Sequence, residues 1–144
     1  HDHFFRVASL LNIRPGIAEL VRLVGQENCA IISYGIQEII EQFLIINRLQ
    51  GIKVFANSIF KTANILNAVT PITKGNFLLR FINSRSRKIS NVISVGDSIG
   101  DQDLFRINTR LNVLILNNNG HPTDKIKNID VAVSSLWPLI VLFS

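Results

Sequence analysis

Residues 91 to 105, NVISVGDSIGDQDLF, run as a short apolar segment, turn at a glycine and then put out carboxylates at Asp97, Asp101 and Asp103. Packing alone gives no reason for acids at the mouth of so hydrophobic a segment. Two carboxylates on one tight turn, Asp97 and Asp101, suit a hard cation such as Mg²⁺, which takes few protein oxygens and keeps several waters. Gly96 is expected to let the backbone turn, and Gly100 to permit close approach or a positive φ. A second polar position, Ser33, closes the apolar run CAIIS ahead of a helix. Its hydroxyl and the amides of Tyr34 and Gly35 can grip an anion. A third, Lys74, opens a helix and offers a point charge on a long stem. A metal ion, a lysine and a hydroxyl–amide cradle are what phosphoryl chemistry uses, because its catalysis is mostly positioning and charge neutralisation.

The elements that must hold these residues follow from periodicity. Residues 4–11 read as a short helix, broken by NIRPG at 12–16. GIAELVRLVGQ has apolar residues at helical spacing, and CAIISYG is a β-branched run of the kind found in buried parallel strands. IQEIIEQFLIINRLQG reads as a helix closed by Gly51, IKVFANSIF as a strand, and 61–73 as a loop or small ribbon. Thr73 is the expected N-cap of the helix KGNFLLRFINS. A strand ending at VGDS, a short helix from Asp101, a strand LNVLILNN, a short strand VAV and a terminal helix complete the chain. Strands alternating with helices imply βαβ units and a doubly wound parallel α/β sheet. Ligands in such sheets bind outside the carboxyl ends of the strands, where Ser33, Asn57, Asp97 and Asp101 gather.

Composition narrows the class. A chain of 144 residues with 47% hydrophobic content and mean hydropathy +0.30 is long enough to bury one core. No apolar run reaches the roughly 20 residues of a membrane helix, so no membrane partner is expected. No leader peptide is read at the start, and the lone Cys29 excludes an internal disulfide and fits the cytoplasm as an inert, buried thiol. The net charge of +5 raises the question of nucleic acid. Its one dense patch, Arg85 to Lys88, reads as a solvated helix end without interleaved aromatics, and no nucleic-acid partner is expected.

Ser33, then Lys74, then Asp97 and Asp101 in GDSIGD, each on a successive α/β unit, resemble the second, third and fourth motifs of the haloacid dehalogenase (HAD) superfamily. RPG at residues 14–16 resembles its phosphatase branches. The resemblance implies a HAD-type Rossmann-like core over residues 13–144, with residues 1–12 as the trailing helix of an upstream cap. It implies a Mg²⁺-dependent phosphohydrolase acting on a small phosphomonoester. Ser33, Tyr34 and Gly35 would hold the phosphoryl group, Lys74 would neutralise charge, and Asp97 would ligate Mg²⁺. Asp101 would orient Lys74 or reach the metal through water. Lys74 stands only 41 positions after Ser33 (74 − 33), so a large cap belongs upstream, as in phosphoserine-phosphatase-like and pyrimidine-nucleotidase-like enzymes.

One motif is missing. The superfamily's D-x-D, with its aspartyl nucleophile, follows a central strand, whereas Asp2 has no apolar run before it and no Asp two positions on. The expectation is that this is the C-terminal portion of a longer protein; alternatively another chain supplies the strand. A non-catalytic module that binds a phosphorylated ligand or a protein partner is the second functional reading. Plainer roles go to the remaining polar residues. Asp103 reads as a first-turn helix charge and not a ligand, Asn57 as a strand terminator, and His1 and His3 as a loose terminus. His121 stands in a loop without a visible partner. Ser98 in GDS is not an esterase nucleophile, because the downstream order H-P-T-D is inverted for that class.

Overall fold

The computed structural model describes residues 2–60, 68–116 and 125–144. The chain divides into two units, residues 1–69 with 136–144, and residues 70–135.

In the first unit, helix α1 (Asp2–Ser9) packs on helix α3 (Gln37–Ile46), and helix α2 (Ile17–Val24) packs on the terminal helix α6 (Trp137–Phe143). Strands β1 (Ala30–Ile36) and β2 (Lys53–Asn57) pair in parallel, with α3 as their crossover. The apolar spacing of α2 and α3 closes a core of Val21, Leu44, Leu49 and Ile52, against which Cys29, Ile31, Phe43 and Val54 pack. Gly16 has φ 90, and a Cβ there would sit 3.2 Å from Leu136 Cβ, so the glycine of RPG serves both a left-handed turn and the docking of α6.

Helix α3 does not run to Gly51. It stops at Ile46 because Arg48 turns left-handed (φ 59), with Arg48 N–H bonded to Ile45 O and Leu49 N–H to Leu44 O. That is a Schellman ending in which Leu49 and Leu44 also share the core. Gly51 answers to a different need: its N–H donates to Gln26 Oε1 at 2.8 Å, and a Cβ would collide with Gln26 Cβ at 2.9 Å.

In the second unit, β3 (Ile93–Gly96), β4 (Leu111–Ile115) and β5 (Val131–Val133) form a parallel sheet in that order. Helix α4 (Lys74–Ser84) leads into β3, and a 3-10 turn (Ile99–Asp101) with the short helix α5 (Gln102–Phe105) leads out of it. Phe105, Leu114 and Ile126 make the core, with Ile129 against them. Asn112, 2% exposed within β4, is fully engaged. Its Nδ2 donates to Phe105 O and Asn128 O, and its Oδ1 accepts from Thr109 Oγ1. A buried amide satisfied this way fixes the arrangement of β4 against its neighbours. Helix α4 ends in a second Schellman turn at Ser86 (φ 50), which leaves Arg85 to Lys88 exposed. All strand pairs among the described residues are parallel, as the alternation of elements requires. The fold is α/β.

Candidate active site

Ser33, Tyr34 and Gly35 lie in the first unit, within β1 and not beyond its end. The ladder pairs Ile32 with Phe55 and then Ile36 with Asn57, so the three residues swell out of the register as a bulge. Inside it, Gly35 N–H donates to Ser33 Oγ at 3.0 Å. Asn57 does more than end β2. Its Nδ2 donates to Tyr34 O (3.1 Å) and Val69 O (2.9 Å), and its Oδ1 accepts from Val69 N–H (2.8 Å). One side chain therefore ties the bulge to the backbone at Val69. Glu38, at the start of α3, accepts from Ser58 Oγ and thereby anchors the segment after β2.

Lys74, Asp97 and Asp101 lie in the second unit. Lys74, only 6% exposed, donates from Nζ to Asp101 Oδ1 at 2.6 Å. Asp101, 7% exposed, uses Oδ2 to accept the backbone N–H groups of Asp97 (2.9 Å) and Ser98 (3.2 Å). With Ser98 it forms the capping box of the 3-10 turn. One carboxylate thus bonds the lysine on one side and the turn that carries Asp97 on the other. Asp97 itself is exposed.

Neither glycine of this turn has the positive φ that glycine at such a position suggests. Gly96 is required for space: a Cβ there would fall 2.6 Å from Asp101 Cβ and 2.7 Å from its Cγ. Gly100 sits in the 3-10 turn with ordinary backbone geometry.

Thr73 occupies the N-cap position of α4, but its hydroxyl makes no capping bond. It accepts Thr70 N–H at 2.8 Å instead. Asp103 supplies what Thr73 does not, because its Oδ2 accepts Gly75 N–H at 2.7 Å. Asp103 stands in the first turn of α5, as expected, and also serves the start of α4.

Cys29 is half-buried, and burial pushes its thiol above the ordinary value of 9.0, with the charge of Glu27 adding to the effect. That fits an inert thiol. His1 and His121 lie outside the described residues. Among the described residues no three His, Cys, Asp or Glu side chains gather as a metal cage. Mg²⁺ needs none, since one or two carboxylates and water suffice, and the Asp97–Asp101 turn has that donor chemistry. Among the described residues no helix is long and apolar enough to cross a membrane.

No protein-family model and no curated protein matches the sequence. Among solved structures, the crystal structure of a HAD family hydrolase from Salmonella enterica subsp. enterica serovar Typhi is similar over 90% of this chain, with a TM-score of 0.70 and 16% identity. The chain has the HAD-type fold. It spans 45% of the length of that hydrolase chain.

Proposed function

We propose that this chain serves the Mg²⁺-dependent hydrolysis of a small phosphomonoester, in the manner of the phosphoserine-phosphatase-like and pyrimidine-nucleotidase-like enzymes, in the cytoplasm. The observation that carries the reading is the 2.6 Å pair of Lys74 and Asp101, bonded in turn to the backbone that presents Asp97. A cation held this way neutralises a phosphoryl group without reorganising when charge develops. Asp97 would hold Mg²⁺, with Asp101 reaching it through water. Bound there, the metal neutralises phosphoryl oxygens.

In the first unit, the Gly35 amide points its hydrogen at Ser33 Oγ. The Ser33 oxygen accepts that bond, so its own hydroxyl hydrogen is the donor it would offer a phosphoryl oxygen. The aspartyl nucleophile that the HAD resemblance calls for would directly follow a strand; the D-x-D of these 144 residues, Asp101-Gln102-Asp103, lies instead in the 3-10 turn and helix after β3, with Asp101 bonded to Lys74. The second reading is a module that binds a phosphorylated ligand or a protein partner without turnover.

The test is release of inorganic phosphate from a panel of small phosphomonoesters. It would be run with Mg²⁺ and with EDTA, on these 144 residues and on the longest product of the same gene. Turnover that needs Mg²⁺ and disappears in Asp97→Asn is expected, with Lys74→Ala lowering kcat by roughly 10²-fold or more, the scale of losing a preorganised electrostatic donor. Undiminished turnover in Asp97→Asn would overturn the assignment. Phosphate binding without turnover in either product would favour the second reading.

A further inference from the structure

Asp103 has no part in the phosphoryl chemistry proposed above, yet its shortest side-chain contact is made 28 residues away in sequence, at the start of another helix. Gly75 is the second residue of α4 and directly follows Lys74. Its N–H is one of the donors that a helix start leaves without an intrahelical acceptor. The residue in the local N-cap position, Thr73, is occupied with Thr70. The cap therefore comes from α5. The approach is close enough to demand glycine, for a Cβ at position 75 would lie 2.8 Å from Asp103 O and 2.9 Å from Ile107 Cδ1.

Two adjacent residues of α4 are thus held by two acids of the same short segment. Lys74 Nζ meets Asp101, and Gly75 N–H meets Asp103. The ion pair alone does not place the lysine. Four rotatable bonds separate Nζ from the backbone, so the pair can persist while the Cα wanders. The bond to Gly75 acts on the backbone one residue from the lysine Cα.

We propose that Asp103 is a positioning residue: by capping Gly75 it sets the point from which Lys74 reaches Asp101 and, on the phosphohydrolase reading, the phosphoryl group. The catalytic consequence rests on that reading. The placement of Lys74 does not, and it can be measured without any substrate.

The experiment is competitive acetylation of lysines in the folded 144-residue chain, read by mass spectrometry, well below the unfolding midpoint. Lys74 labelling is normalised to exposed Lys88. Asp103→Ala is expected to raise the normalised labelling of Lys74 about ten-fold or more, the scale of one lost hydrogen bond to a charged group. Asp103→Asn keeps an acceptor oxygen at the same reach and is expected to stay within about three-fold of the parent. Asp103→Ser, which is polar but too short to reach Gly75, replaces the alanine variant if that one does not fold.

A cap that merely stabilises the unit would lower the midpoint in Asp103→Ala and leave Lys74 labelling in the folded state unchanged. That result, or an Asp103→Asn variant labelled as fast as Asp103→Ala, overturns the proposal. Labelling requires no turnover, so a protein that hydrolyses nothing still reveals whether Asp103 places Lys74. Conversely, a failed labelling result leaves the phosphatase assay to be judged by itself.

Discussion

Removing the Asp101 carboxylate should damage the second unit about as much as emptying part of its core. In Asp101→Ala, the Lys74 ammonium, 6% exposed in the parent, loses its 2.6 Å contact to Asp101, and the N–H groups of Asp97 and Ser98 lose their acceptor. Breaking a buried pair from one side costs about 3–5 kcal/mol, because it strands a charge away from water. The two amides sit at a partly exposed turn where water can replace the carboxylate, so they add little. The lone Trp137 belongs to the first unit, so a probe within the second unit itself is used. Native-state hydrogen exchange of the α4 amides from Phe77 to Ile82 reports on this loss. A cost of 3–5 kcal/mol predicts faster exchange by about two to three and a half decades, at 1.4 kcal/mol per decade. The double variant Lys74→Met with Asp101→Leu removes both charges and should recover most of the protection, since apolar replacement of a buried pair is often neutral or stabilising. Acceleration of less than about five-fold in Asp101→Ala would mean that the ammonium already reaches water, and the electrostatic account of the site would fail.

The other predictions are more local. Gly96→Ala forces a methyl into the space of Asp101 Cβ and Cγ, and overpacking of about 1–3 kcal/mol is expected in thermal melts by circular dichroism, with Lys74 more readily acetylated. Asn57→Ala removes three hydrogen bonds, one to the β1 bulge and two to the Val69 backbone, and should cost the first unit about 2–3 kcal/mol, read by Trp137 fluorescence in urea. Cys29 ionises later in the folded chain than in the unfolded one. Between the ordinary 9.0 and the higher folded value the unfolded state binds fewer protons, so stability should fall as pH rises through that window. Cys29→Ala should flatten the slope in urea titrations at increasing pH. Asp97→Asn should leave the melting temperature nearly unchanged, because the side chain is exposed and the backbone amide that bonds Asp101 survives the substitution.

The parts of the fold that were legible in the sequence are those whose cause is local. Apolar periodicity placed each helix and strand, and the lysine after Thr73 and the acids after Gly96 followed from being next to breaks in that periodicity. What escaped depends on partners far along the chain. Nothing near residue 48 announces that an arginine will take the left-handed turn; the closing contact between Leu49 and Leu44 in the core draws it there. Ser33 was expected past the end of its strand, but the bulge opposite Asn57 keeps β1 running to Ile36. Asp103 read as a dipole charge because its acceptor role lies at Gly75, on another helix. One signal was present: a glycine in the first turn of a helix, where it costs conformational entropy, asks what approaches so closely that a side chain is excluded.

The location of Lys74 bears on why it is charged at all. It is the first residue of α4, where the unpaired N–H groups give the helix end a partial positive charge that disfavours a cation. It is also withdrawn from water, so a charge there gives up hydration. Selection for a firm helix start alone would favour an acid or a neutral side chain at this position, and a buried pair adds little stability over apolar residues of the same volume. The Asp101 carboxylate offsets both penalties while staying bonded to the turn below Asp97. The arrangement makes poor sense as a stabilising device and good sense as a fixed positive charge beside an exposed acid. If that is its purpose, Lys74→Met with Asp101→Leu should keep most of the parent's protection in hydrogen exchange and still bind inorganic phosphate at least about ten-fold more weakly by calorimetry, the scale of one lost charged contact. A double variant that is stable and binds phosphate as well as the parent would show that the pair serves the fold alone.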